Sequence, residues 1–238
     1  MTESIKIKNL SKFYGNIKAV DDFNFVAKKG EIIALLGPNG AGKSTLMNMI
    51  TGFLSPTNGE IFVQDINIAE KPLVAKEKIG FLPEGSPLYP DMSVKMFLKY
   101  MADLRSVGKE DLNKAIELAK IENVLHQKIE TLSKGYLRRV GFAQSILSNP
   151  DILLLDEPTD GLDPNQKNHM RKLISKMGKE KTIIISTHLL DEAETICNRI
   201  VLINKGKIMA DGTYTDILKQ TKTKSLEKAF AKLTDLSE

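Results

Sequence analysis

The stretch Gly37-Pro38-Asn39-Gly40-Ala41-Gly42-Lys43-Ser44-Thr45 restricts this chain more than any other part of it. It fits the pattern G-x-x-x-x-G-K-[ST] at every fixed position. Ahead of it, Glu31-Ile32-Ile33-Ala34-Leu35-Leu36 is an apolar run suited to a buried parallel strand. Behind it, residues 44–50 carry apolar side chains at helical spacing and stop at Gly52. A strand, a glycine-rich loop and a helix N-terminus in that order let backbone N–H groups close around a polyphosphate without Cβ clashes. The helix end adds partial positive charge at the same point. Lys43 can reach the β- and γ-phosphates, and Ser44 can ligate Mg²⁺.

At 238 residues the chain has room for one large α/β domain or two small ones, with a sizeable core. A net charge of +4 admits nucleic acid or an anionic membrane surface as partners and requires neither. Cys197 is the one cysteine, and no Cys/His pair stands at ligand spacing, so disulfides and structural zinc are not expected and a reducing cytosol is. Residues 1–6 lack the apolar centre of a signal peptide. No apolar stretch approaches the roughly 18 residues of a membrane span. Any membrane role is expected to come through a partner.

Around the loop, the pattern predicts an α/β chain. Ile5, Ile7 and Leu10 begin an alternating segment that reads as an edge strand, with residues 11–16 as a turn and 19–27 as a second strand. Residues 60–63 form another, after the turn Pro56-Thr57-Asn58-Gly59, and short connections make these early strands antiparallel. Residues 72–79 read as a short helix and 80–85 as a strand leaving into a loop. From Asp91 to about Thr131 no good strand appears. Ser93 caps a helix with Met96, Phe97, Tyr100 and Met101 on one face, and residues 109–120 form a second with Leu112, Ala115, Ile116 and Ala119 in register. This is a helical insertion. Another helix opens at 131–136, and buried strands are expected at 152–155 and 182–185. Helices are expected from Pro164, with Asp163 as its cap, and over 189–197; a hairpin follows over 200–210.

Asp156 and Glu157 stand at the carboxyl end of an aliphatic strand, where α/β sheets bind ligands. Asp156 can hold Mg²⁺, directly or through water, and Glu157 can deprotonate an attacking water. His188 ends another apolar strand and points to the same crevice, although taken alone a strand-end histidine is more often structural. His126 and His169 read as surface residues. Local spacing leaves Tyr14 as a strand-end aromatic or an adenine-stacking one, and Ser133-Lys134-Gly135 as a helix cap or an anion site.

With these segments in order, the chain resembles the nucleotide-binding subunit of an ATP-binding-cassette (ABC) transporter over nearly its whole length. Gly37 to Thr45 matches the Walker A loop, and residues 152–156 with Glu157 match Walker B and its glutamate. Leu132-Ser133-Lys134-Gly135-Tyr136 sits where the signature L-S-G-G-Q belongs, Gly161-Leu162-Asp163 matches the D-loop, His188 the switch histidine and Tyr14 the adenine-stacking aromatic. Glu84 occupies the Q-loop glutamine position, and Lys134 and Tyr136 replace a signature glycine and glutamine. These departures, with Leu226-Glu227-x-x-Phe230, are similar to the branch serving drug, polysaccharide, sodium and gliding-machinery exporters.

The resemblance implies an α/β P-loop ABC ATPase fold: a mixed sheet with an antiparallel β edge, and a helical signature subdomain of about residues 84–148 inserted within an ATPase domain of 1–221. It implies ATP as the nucleotide, with Gly37, Pro38, Asn39, Gly40, Ala41, Gly42, Lys43, Ser44 and Thr45 around its phosphates and Tyr14 on its base. Mg²⁺ is expected on Ser44, Glu84 and Asp156. Glu157, His188 and Lys43 would be catalytic. Ser133, Gly135 and Asp163 would come from a second ABC ATPase subunit, identical or not. An integral membrane permease is the expected partner, with no nucleic acid, and the location is peripheral, on the cytoplasmic face of the cell membrane. Two alternatives stay open at this point: a non-transport ATPase of the same superfamily acting on ribosomes or DNA, and a regulatory subunit with weak turnover. Residues 222–238 form a tail with Leu226, Phe230 and Leu233 on one helical stripe, read as packed on its own domain.

Overall fold

The structure is a computed structural model and describes residues 2–234, so the last four residues of the expected tail lie outside the described residues. In chain order the strands are β1 (Glu3–Tyr14), β2 (Ile17–Lys28), β3 (Ile32–Leu36), β4 (Asn58–Val63), β5 (Ile66–Asn67), β6 (Ile79–Leu82), β7 (Ile152–Asp156), β8 (Thr182–Thr187), β9 (Arg199–Asn204) and β10 (Lys207–Gly212). The helices are α1 (Lys43–Ile50), α2 (Pro72–Glu77), α3 (Val94–Leu104), α4 (Lys109–Ala119), α5 (Lys134–Ile146), α6 (Pro164–Met177), α7 (Leu190–Ile196), α8 (Tyr214–Thr221) and α9 (Leu226–Leu233).

Two sheets organise the chain. One is six-stranded, in the order β10-β9-β3-β8-β7-β6, and parallel except for β10. The other is four-stranded and antiparallel, in the order β2-β1-β4-β5. β1 therefore lies inside its sheet, between β2 and β4, and is not the edge strand its sequence suggests. It also runs on through Tyr14, so the turn is shorter than residues 11–16. The reason is long-range: Ser11 pairs with Asn58, a partner that no local pattern reveals.

Strand alternation decides which face each side chain covers. On β3, Ile33 and Leu35 join a core shared with α1 and the antiparallel sheet, through Ile7, Leu46, Met47 and Ile61. Ala34 and Leu36 face the other way, onto α7, α8 and α9. On β7, Leu153 and Leu155 turn toward α5, α6 and the helical segment, where Phe97, Phe142 and Ile174 are buried. Each of the Leu, Ile, Met and Phe side chains among them contributes about 1.5–3 kcal/mol by leaving water. Helix α1 is thus clamped between the two sheets, which fixes the direction of its N-terminus.

Between β6 and β7 stand α3, α4 and α5, with no strand longer than the isolated bridge of Ser93 and Lys128 among the described residues. Ser93 caps α3 by accepting from the Met96 N–H. The expected face of α3 is only partly buried: Phe97 is covered, while Met96 and Tyr100 are exposed. Residue 79 belongs to β6 and not to α2, which ends at Glu77. Helix α9 packs on α8 and β9 through Leu226 and Ala229. Among the described residues, no helix is long and apolar enough to cross a membrane.

Candidate active site

The buried strand β3 delivers the loop 37–42 directly onto α1. Two glycines are required by their conformation and surroundings. Gly42 has φ 104°, and a Cβ there would come 2.2 Å from the Ala19 carbonyl oxygen. At Gly37 a Cβ would come 2.4 Å from the Ile203 carbonyl oxygen. The loop is therefore seated tightly on β2 and β9. Lys43 is buried, and its Nζ donates to the Gly37 carbonyl at 2.6 Å and the Pro38 carbonyl at 3.1 Å. Burial pulls the lysine below its ordinary range; the carboxylates of Glu157, Asp156 and Glu84 pull it back up.

Around this loop lies a crevice of about 840 Å³. Every residue from Gly37 to Thr45 lines it, and so do Glu84, Asp156, Glu157 and His188. These come from the ends of β3, β6, β7 and β8, which are neighbours or near neighbours in the parallel part of the sheet. The crevice outside the carboxyl ends of such strands is where α/β folds bind ligands.

Glu157 is held in an unusual way. Its backbone is left-handed, with φ 50°, which costs energy for a residue carrying a Cβ. Its N–H donates to the Ser186 carbonyl at 2.8 Å. Its side chain accepts from His188 Nδ1 at 2.8 Å and, more distantly, from Thr187 Oγ1 at 3.4 Å. Because a carboxylate accepts only, Nδ1 carries the proton. Asp156 is buried beside it, and the hydroxyl of Ser186, also in the crevice wall, is buried without a partner. The oxygen set of Ser44, Asp156 and Glu84 suits a hard divalent cation. Among the described residues no three His, Cys, Asp or Glu side chains form a metal cage. Such a cation would thus take its remaining ligands from phosphate and water.

Four of the expected site residues stand apart from the crevice. Ser133 is exposed at the N-terminus of α5 and caps it, accepting from the Tyr136 N–H. Gly135 is buried against Gln166 and Gly161. Asp163 caps α6, accepting from the Gln166 N–H at 2.9 Å in a full capping box. Tyr14 is half-exposed at the end of β1 and opens on a second cleft of about 720 Å³, with Phe53, Phe81, Tyr89, Phe97 and Met101.

Further residues line the crevice that the sequence does not assign to it. Asp160 lines it and pairs with Lys134 at 2.8 Å, so the residue standing at a signature glycine position is tied to the loop after β7. Phe230 of α9 lines it too: α9 packs on α8 and β9 and also reaches this crevice. A helical stripe shows that Phe230 packs but not against what. His126 is exposed, whereas His169 is not a plain surface residue, since its Nε2 lies 3.0 Å from the Leu118 carbonyl oxygen.

Comparison with known proteins gives the family and agrees with the fold. A family model described as ABC transporter matches residues 20–160. An uncharacterized ABC transporter ATP-binding protein, MJ1023 of Methanocaldococcus jannaschii, is 38% identical over 92% of the chain and 81% of its own length. The Nod factor export ATP-binding protein I of Burkholderia orbicola is 36% identical over 87% of the chain and 70% of its own. A solved dimeric structure, a post-hydrolysis state of the ATP-binding cassette MJ0796 bound to ADP and Pi, superposes with a TM-score of 0.82 at 27% identity, covering 88% of this chain and 98% of that one.

Proposed function

The chain belongs to the ABC transporter family as an ATP-binding, ATP-hydrolysing subunit, and from that premise we propose how its residues act. ATP lies in the crevice with its phosphates against the loop 37–42 and the N-terminus of α1. Lys43 leaves its two loop carbonyls and donates to the β- and γ-phosphates, where its charge stabilises the charge that develops on transfer. Glu157 takes a proton from the attacking water. His188 holds Glu157 through Nδ1 and fixes the direction of that proton transfer. Mg²⁺, when bound beside Ser44, Asp156 and Glu84, would neutralise charge on the phosphates.

The observation that carries this reading is the strained, doubly held Glu157 at the mouth of a phosphate crevice. Strain of this kind persists where surroundings enforce it, and it clusters at working sites.

One chain supplies only one wall. Ser133, Gly135 and Asp163 sit outside its crevice, on the N-termini of α5 and α6. A second subunit facing it head to tail would bring those residues over the γ-phosphate, so that ATP bridges the two chains. The dimeric form of the MJ0796 cassette supports this arrangement. Hydrolysis then removes the bridging ligand and the subunits part. Parting moves residues 84–148, which form one wall of the second cleft. That cleft is lined mainly by apolar and aromatic side chains, with Lys76 and Arg105 among them, and Tyr14, Phe53 and Tyr89 are exposed on it. It fits an apolar helical segment of a membrane partner, which would hold the chain at the cytoplasmic face. The Nod factor export relative supports export as the direction.

The experiment is Glu157→Gln. The variant should bind ATP within about twofold of wild type while phosphate release falls by about 10²-fold or more. Retained turnover in Glu157→Gln removes the general-base role.

A further inference from the structure

Arg138 lies on α5 and is buried beside Arg139, Val140 and Phe142. Burying a guanidinium is costly unless its N–H groups are bonded. Here Nη1 donates to the Pro83 carbonyl at 2.7 Å and to Ser86 Oγ at 3.1 Å. Nε and Nη2 are buried with no partner. The two acceptors flank Glu84.

The loop between them needs holding. Gly85 and Ser86 are both left-handed, with φ 75° and 41°, and Ser86 carries a Cβ that disfavours this state. Three residues beyond Arg138, on the same face of α5, Gly141 approaches the loop closely. A Cβ there would come 2.8 Å from Ser86 Oγ and 2.9 Å from Leu82 Cδ1. The helix thus grips this loop by a charged contact and a close approach. Arg138 itself does not line the crevice.

The N-terminal end of α5 carries Ser133 as its cap. Arg138 stands five residue steps beyond Ser133, roughly 7.5 Å along a stiff rod. We infer that Arg138 is a positioning residue that ties the Glu84 loop to α5, so that engagement of Ser133 sets where Glu84 stands in its own chain's crevice. This rests on the reading of Glu84 as a metal ligand and of Ser133 as a contact to nucleotide held by the facing chain. The guanidinium also lies in the field of Asp156, Asp160, Glu157 and Glu84, and so offsets part of their negative charge.

The test uses the full chain with Mn²⁺ as the probe, titrated by electron paramagnetic resonance at saturating ATP. Glu84→Ala, Arg138→Met and Ser86→Ala should each weaken Mn²⁺ binding, by up to about tenfold for the first two. ATP binding without metal should stay within about twofold, because the Walker A contacts are untouched. The double variant Arg138→Met/Glu84→Ala should be no weaker than its weaker parent, since both act through one ligand. Arg138→Lys should fall between Arg138→Met and wild type. Ser86→Ala deletes an acceptor without removing the buried charge, and it decides the matter if Arg138→Met does not fold. Wild-type Mn²⁺ affinity in Arg138→Met and Ser86→Ala, beside a weakened Glu84→Ala, overturns the clamp alone. Multiplicative losses in the double variant overturn it too. A silent Glu84→Ala removes the metal reading of Glu84, and the clamp with it.

Discussion

His188 Nδ1 lies 2.8 Å from Glu157 Oε1, at the ends of two strands that are neighbours in the parallel sheet. The contact orients a carboxylate whose backbone is already constrained by the Ser186 carbonyl. Replacing His188 by Ala removes the donor and frees the Glu157 side chain to rotate. Turnover of His188→Ala should fall by about 10²-fold, with ATP affinity little changed. Steady-state phosphate release beside equilibrium ATP binding separates the two effects. Equal loss of both would mean that His188 serves nucleotide binding and not the proton transfer.

Lys43 is buried, bonded only to loop carbonyls, and drawn below the ordinary lysine range by burial. Removing its charge-assisted contact to phosphate should cost Lys43→Met about 1.5–3 kcal/mol of ATP affinity, roughly 10- to 100-fold. The lowered value has a second consequence. Between the folded value and the unfolded one, near 10.4, the unfolded chain binds more protons, so stability rises with pH across that window. Wild type without nucleotide should therefore gain stability relative to Lys43→Met as pH rises through the alkaline range. Denaturant titrations of both proteins between about pH 8 and 10.5 would show it. Parallel curves would mean that the lysine titrates alike folded and unfolded.

Local pattern made much of this site legible. The order of strand, glycine loop and helix around Lys43 is written in apolar periodicity, and so are the strands that end at Asp156 and Thr187. What pattern could not show depends on partners far away in sequence. β1 is interior because β4, some fifty residues on, pairs with its other edge. Tyr14 belongs to the wall of a second cleft that Phe53, Tyr89 and Phe97 line as well. Arg138 reads as one more charge on a basic helix until Pro83 and Ser86 are placed against it. Left-handed backbone at Glu157 and Ser86 is likewise invisible, since neither residue type announces it.

Thr159 and Glu192 tie the loop after β7 to the helix after β8. Thr159 Oγ1 donates to Glu192 Oε1, and both residues are buried. Arg171 lies 3.8 Å away as the other partner, and Glu192 Oε2 has none. Thr159→Val keeps the shape and deletes the donor, leaving a buried carboxylate less satisfied. The cost should be about 1–3 kcal/mol of stability. Because the link joins the loops that carry Glu157 and His188, turnover should fall with it. Thr159→Ser keeps the hydroxyl and should recover most of both. Denaturant midpoints and phosphate release on the same samples make the comparison; a Thr159→Val as stable as wild type would show that Arg171 alone satisfies Glu192.

Gly80 is the point where β6 meets α5. A Cβ there would come 2.0 Å from the Ser145 carbonyl oxygen and 2.8 Å from side-chain atoms of Leu153 and Pro150. The first of these is backbone in a helix, so it cannot turn aside as a side chain can. Gly80→Ala must push α5 away from the sheet or distort β6. Overpacking of this kind costs about 1–3 kcal/mol, occasionally more. Gly141→Ala, on the same helix, meets first the side chains of Ser86 and Leu82 at 2.8 and 2.9 Å, a milder approach than one to helix backbone at 2.0 Å. It should destabilise less. The two variants also separate mechanism from stability. Gly80→Ala displaces the helix that carries Ser133, whereas Gly141→Ala disturbs the Glu84 loop that Arg138 holds. Gly141→Ala should therefore lower Mn²⁺ affinity with a small loss of melting temperature, and Gly80→Ala should lower the melting temperature more. The reverse ranking in thermal denaturation would mean that β6 and not α5 gives way at Gly80.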